Sequence, residues 1–124
     1  MRTILFLATM LTLTAGVPAR ATQDDTLLTA ALTQAPGRSL EALRVSYAPG
    51  EASKPHSHDR DAYVYVLSGH VRSQVEGQPL RVYATGENWF EPAGARHLVS
   101  ANASSTEPAT ILVVFVGKPH VPNK

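Results

Sequence analysis

The chain contains no cysteine in 124 residues. Disulfides and thiolate metal sites are therefore excluded. Neither sign of charge dominates: Lys and Arg number 11, Asp and Glu 10. Such a balance gives no electrostatic footprint for nucleic acid or anionic lipid. No apolar run approaches the roughly 20 residues that span a bilayer. Helical periodicity is missing beyond the N-terminal segment, as are internal repeats, linkers and low-complexity stretches.

What is present begins with Met1-Arg2-Thr3 and a short apolar run, Ile4 to Leu13, broken by Gly16 and Pro18. Ala19 and Ala21 bracket Arg20 as small residues bracket a signal cleavage point. Residues 1–21 are thus expected to be a secretory signal peptide, cut after Ala21, and the product to be secreted or periplasmic, free of the membrane. No Arg-Arg pair points to the twin-arginine route, and no cysteine follows the run for lipid attachment. Removing Arg2 and Arg20 from the 11 basic residues leaves nine against 10 acidic, a net charge of −1. Residues 22–124 then form one domain with a modest core.

Thr22 to Asp25 is polar and reads as loose; Thr26 to Thr33 fits either a short helix capped by Asp24 or Asp25, over Leu27, Leu28, Ala31 and Leu32, or a strand, and the strand is preferred. Leu40 to Ala48 alternates Leu43, Val45 and Tyr47 with Arg44 and Ser46, a half-buried strand. Asp59-Arg60-Asp61 reads as a solvated hairpin tip. Ala62 to Leu67 and Ala109 to Val116 are continuous apolar or aromatic runs, expected to be covered on both faces. His70 to Glu76 alternates with Val71, Ser73 and Val75 on one side. Asn102 to Glu107 reads as a polar loop. Turn signals every eight to twelve residues predict an all-β antiparallel sandwich or barrel.

Two segments carry the chemistry. Pro49-Gly50 leads to Lys54-Pro55-His56-Ser57-His58, and Gly86 leads to Trp89-Phe90-Glu91-Pro92-Ala93-Gly94-Ala95-Arg96-His97. On a strand, His56 and His58 at i and i+2 share a face. Neutral imidazole suits Zn, Fe, Cu and Ni. A third imidazole, His97, delivered by the Pro-x-Gly turn, completes a triangular face with positions left open for water or substrate.

At these segments the chain resembles the cupin superfamily. Gly50, His56, His58 and Gly69 stand at the spacing of the first cupin motif, and Gly86, Pro92, Gly94 and His97 at that of the second. The closing Asn is late by one, at Asn102, and the glutamate position of the first motif is Ala62. The resemblance implies a small double-stranded β-helix, or jelly roll, with a divalent transition metal (Fe, Zn, Mn or Ni) held by His56, His58 and His97. It is closest in pattern to the three-histidine cupin dioxygenases. Without the glutamate, such a site carries the full +2 charge of its metal and favours an anionic or chelating substrate. Glu91 is the nearby acid placed to compensate, as a general base or a carboxylate at the metal.

The side of the Ala62 strand that carries Ala62, Val64 and Val66 is implied to face the cavity. Tyr63 and Tyr65 then pack against outer strands or a partner, which allows a homodimer. Trp89 and Phe90 read as core residues, with one at the pocket mouth; Arg96, His70 and His120 read as exposed. The expected partner is a small molecule. Two readings follow: a mononuclear metal-dependent dioxygenase-like enzyme, or a non-catalytic binding module for a metal or small ligand.

Overall fold

The computed structural model describes residues 22–120; residues 1–21, expected to be a signal peptide, lie outside the described residues. Strand follows strand: β1 (Gln23–Ala31), β2 (Ser39–Tyr47), β3 (Ala52–Ser53), β4 (His56–Ser57), β5 (Asp61–Ser68), β6 (His70–Val75), β7 (Arg81–Ala84), β8 (Asn88–Glu91), β9 (Arg96–Asn102) and β10 (Ala109–Gly117). Among the described residues there is no helix, and so none long and apolar enough to cross a membrane. One sheet runs β1-β2-β10-β5-β8. The second runs β3-β9-β6-β7, with β4 also on β9. Every pairing is antiparallel. The result is a jelly roll: the strand pattern predicts the antiparallel sandwich or barrel, and the resemblance implies its jelly-roll form.

The core follows from period-two alternation. Val45 and Tyr47 on β2, Ala62, Val64 and Val66 on β5, and Ile111, Val113 and Phe115 on β10 are buried from one sheet. Val71 and Val75 on β6 meet them from the other. Val64, Val66 and Val71 are fully buried, each stabilising by about 1.5 kcal/mol or more. The expectation that β5 and β10 are covered on both faces does not hold. Tyr63 and Leu67 on the outer face of β5 are exposed, as is Val116 on β10. An unbroken apolar run cannot distinguish a strand covered on both faces from one whose outer face is also apolar.

Two other expectations are corrected. Gln23 to Asp25 belongs to β1, because its backbone pairs with Ser46, Val45 and Arg44; long polar side chains do not prevent an edge pairing. Arg60 is no solvated tip. It is 7% exposed, paired with Glu41, and its guanidinium sits 4.5 Å from the Phe115 ring centre. Gly117 makes room for it, since a Cβ there would come within 2.7 Å of the Arg60 side chain.

Gly69, the last residue of the first motif, joins β5 to β6 at φ +75°, and a Cβ there would lie 2.6 Å from the Pro108 carbonyl oxygen. Asn102 is 2% exposed rather than in a polar loop. Its side-chain amide donates to the Ala48 and Glu107 carbonyls and its oxygen accepts from the Ser104 amide. It fastens two loops together.

Candidate metal centre

The two motif segments meet on one ladder. His56 on β4 pairs directly with His97 on β9. The turn that delivers His97 is tied back to its counterpart, because the Gly94 amide donates to the His58 carbonyl at 2.6 Å. The three imidazoles gather accordingly. His56 lies 4.8 Å from His58 and 5.2 Å from His97, centre to centre. All three line one cavity of about 1250 Å³, with Glu91, Val45, Val64, Ile111 and Phe115.

Each ring has a distinct setting. His56 Nδ1 is 2.7 Å from the Lys54 carbonyl. A carbonyl only accepts, so that nitrogen carries the proton and Nε2 keeps its lone pair. This is the backbone support that orients ligand histidines. His58 stacks edge-on to Phe115 at 4.6 Å. Burial, and then the neighbouring His56, hold His58 below the ordinary imidazole range, so it stays neutral. His97 is 4% exposed, with Nε2 bonded to the Ser73 hydroxyl at 2.9 Å and Nδ1 3.2 Å from Glu91 Oε1.

Glu91 is 5% exposed. Trp89 Nε1 donates to its Oε1 at 2.8 Å, and His58 Nε2 lies 4.0 Å from its Oε2. Burial alone would raise its pKa, but His97 and the Trp89 N–H favour the anion and the net direction is down. The carboxylate is therefore ionised. In register, Glu91 stands directly opposite Ala62. Both side chains are buried on the inner face, and such opposed Cβ atoms are about 5 Å apart. Glu91 thus faces, from β8, the same space that Ala62 faces from β5.

The donor chemistry fits a divalent transition metal: three imidazoles plus one carboxylate, in a half-apolar cavity. Two donors bound side by side to one ion lie about 3 Å apart, given bonds of about 2.0–2.2 Å. The 3.2 Å between His97 Nδ1 and Glu91 Oε1 has that spacing, but in the ion-free ring it is the N–H···O contact that favours the Glu91 anion; as a ligand, Nδ1 gives up its proton and Nε2–H donates to Ser73 Oγ. The set is loose, however. Among the described residues no three His, Asp or Glu side chains are drawn into ligating geometry.

The sequence reading missed some partners. Ser73 was visible only as a polar residue in the inward series Val71-Ser73-Val75. Ser73, His97 and Glu91 stand in line like a hydrolase triad, but Ser73 is 3% exposed and does not line the cavity. No substrate reaches its hydroxyl, so it positions His97 and is not a nucleophile. Trp89 is buried against the cluster, whereas Phe90 is 52% exposed on the outer face and neither lines the cavity. His70 and Arg96 are exposed as expected. His120 is exposed and also lines the cavity, with Lys118 and Pro119.

Comparison with known proteins agrees with this fold. The solved structure of TT1209 from Thermus thermophilus is 30% identical, covers 80% of this chain and 86% of its own, and superposes with a TM-score of 0.64. DMSP lyase DddQ from Ruegeria pomeroyi is 22% identical over 82% of this chain, with a TM-score of 0.65. Oxalate oxidase in complex with the substrate analogue glycolate is 24% identical over 81%, with a TM-score of 0.62. The chain spans only about half of those two enzymes, 49% and 52% of their lengths, and the likeness to them is one of fold. No curated protein matches the chain. The sequence profile of the cupin domain matches residues 43–115, and the chain belongs to the cupin family.

Proposed function

We propose that this protein is an exported cupin that holds one divalent transition metal with His56, His58 and His97, and binds a small chelating molecule there. The observation that carries the reading is Glu91, ionised, beside His97 and His58 and directly opposite the Ala62 position. It supplies the negative charge that three imidazoles lack. When bound, the metal supplies Lewis-acid or, as iron, redox chemistry. Around it, His56 is oriented by the Lys54 carbonyl and His97 by Ser73. Glu91 is the group able to hold a proton taken from a bound ligand. The apolar walls Val64, Ile111 and Phe115 restrict water.

The named chemistry of two fold neighbours, a lyase and an oxidase seen with glycolate, supports a small oxygen-rich acid as ligand and a mononuclear, dioxygenase-like enzyme as the reading to test. The alternative is binding without turnover. It is favoured by the loose donor set, which lacks a closed ligand geometry among the described residues.

Elemental analysis of the purified protein tests the site. Near-stoichiometric transition metal is expected in wild type, and background metal in His56→Ala and His97→Ala. Equal metal in all three proteins would sink the reading. Oxygen uptake by iron-loaded protein, offered diketones, phenols and thiols, separates the two versions: none with any of them leaves only the binding module. Mass measurement of the mature protein, with cleavage expected after Ala21, tests export.

The same reading includes a homodimer through the outer face of the larger sheet. Leu28, Ala42, Val114, Tyr63 and Phe90 are consecutive register partners across its five strands. Leu28, Tyr63 and Phe90 are large and exposed, a continuous apolar row of the kind that marks contact surfaces.

A further inference from the structure

A second polar cluster lines the same cavity at a distance from the imidazoles. Tyr47, at the end of β2, is 3% exposed and its hydroxyl lies 2.8 Å from Ser100 Oγ and 3.1 Å from Ser53 Oγ. Tyr47, Ser53 and Ser100 all line the cavity that His56, His58, His97 and Glu91 line.

The backbone explains why both clusters look inward. His97 and Ser100 are three apart on β9, so strict alternation would set them on opposite faces. The β6–β9 register slips between Gln74, paired with Val99, and Val75, paired with His97. This irregularity passes over Leu98 and resets the facing. His97 and Ser100 are consequently both 4% exposed. Along the same strand, Ser53 pairs with Ser100 and His56 with His97. The two clusters thus sit about 10 Å apart along β9.

A proton count shows that the hydroxyl cluster is incomplete. Three hydroxyls bring three protons, and two contacts join them. One O–H remains for a further acceptor. The cavity lining includes the apolar Val45, Ile111 and Val113, and the Asp24 and Glu91 carboxylates act on Tyr47 through space while its hydroxyl bonds the two serines. With Ser53 half-buried at the cavity wall, that O–H can be donated to an incoming oxygen there. Burial, more than its serine contacts, sets the Tyr47 pKa and raises it, so Tyr47 stays a neutral donor.

We propose that Tyr47, Ser53 and Ser100 form a specificity subsite that takes a neutral oxygen, a hydroxyl or carbonyl, at the far end of a ligand whose other end chelates at the imidazole cluster. This rests on the metal reading above and goes further, by fixing the length and the distal chemistry of the ligand. Subtracting a metal bond and a hydrogen bond from the cluster separation leaves about 5–6 Å between the ligand's two ends. A six-carbon α-keto acid with a terminal hydroxyl has that reach.

The test uses calorimetry on the full chain. Zn²⁺ is titrated first. α-Ketohexanoate and its terminally hydroxylated counterpart are then titrated into Zn-loaded wild type, Tyr47→Phe and Ser100→Ala. The hydroxylated acid is expected to bind wild type about two- to ten-fold more tightly, the net worth of one hydrogen bond. The preference is expected to vanish in both variants; if Tyr47→Phe does not fold, Ser100→Ala decides. Equal binding of the two acids to wild type, or a preference that survives in the variants, overturns the subsite and leaves the metal reading intact. No Zn²⁺ uptake, or no binding of either acid to Zn-loaded protein, overturns both.

Discussion

Two adjacent rows of the larger sheet differ by one residue along each strand and oppose each other in character. The inner row runs Glu41, Phe115, Ala62, Glu91, each the register partner of the next. The outer row runs Leu28, Ala42, Val114, Tyr63, Phe90. The acids are inside and the large exposed apolar groups outside, the reverse of the usual distribution. Burying charge costs free energy unless it is paired. Both inner acids are paired or flanked by cations or N–H donors, Glu41 by Arg60 and Glu91 by Trp89 and His97. The two rows therefore divide the proposals between them: ligand chemistry is proposed for the inner row and a second copy for the outer row.

The largest expected effect comes from breaking the inner pairing. Arg60→Met leaves Glu41 without its partner and removes the stacking on Phe115. Urea unfolding should show a loss of about 3 kcal/mol, the cost of removing one member of a buried pair. Less than about 1 kcal/mol would mean that Glu41 is solvated and the inner row is not buried in the sense argued. Glu91→Ala strands the Trp89 N–H and should cost about 1–3 kcal/mol, together with most of the bound metal. Glu91→Gln should recover part of the stability and little of the metal.

The outer row should respond oppositely. The double variant Tyr63→Lys, Phe90→Lys is expected to stay within about 0.5 kcal/mol of wild type as a fold, since both positions are exposed. Sedimentation should show wild type as a dimer and the variant as a monomer. A wild type that sediments as a monomer at high concentration would remove the dimer reading.

The smallest effect is in the pH dependence of the metal-free protein. His58 is held below its ordinary value of 6.5, so the unfolded chain takes its proton first. Stability from His58 is full above pH 6.5 and declines as pH falls through the lowered folded value. Glu91 is held below its ordinary value of 4.5, and its contribution is lost at still lower pH by the same sign. Stability should therefore be flat above pH 6.5 and fall in two stages on acidification. The second stage should be absent in Glu91→Gln. Stability that rises on acidification between pH 6.5 and 4.5 would contradict both assignments.

Much of this was readable in the residues, for local reasons. The strand sequence follows from alternation and turn residues, and the His56, His58 and His97 spacing follows from motifs confined to short segments. What could not be read depends on register. Which face of β5 meets solvent, that Glu91 lies opposite Ala62, and that Ser100 shares a face with His97 all require knowing which strand pairs with which residue. Arg60 shows the same limit. Flanked by Asp59 and Asp61 it looks like a surface tip, and only the approach of Gly117 and Phe115 from a distant strand buries it.

The bond from the Gly94 amide to the His58 carbonyl couples the two motif segments mechanically. A one-residue deletion in either connecting loop would drag on both imidazole-bearing segments at once, not on the nearer one alone. The β6–β7 turn is no freer, since the Glu76 amide donates to the Arg96 carbonyl at 2.8 Å and Val75 pairs with His97, so a change of length there would also pull on a cavity histidine.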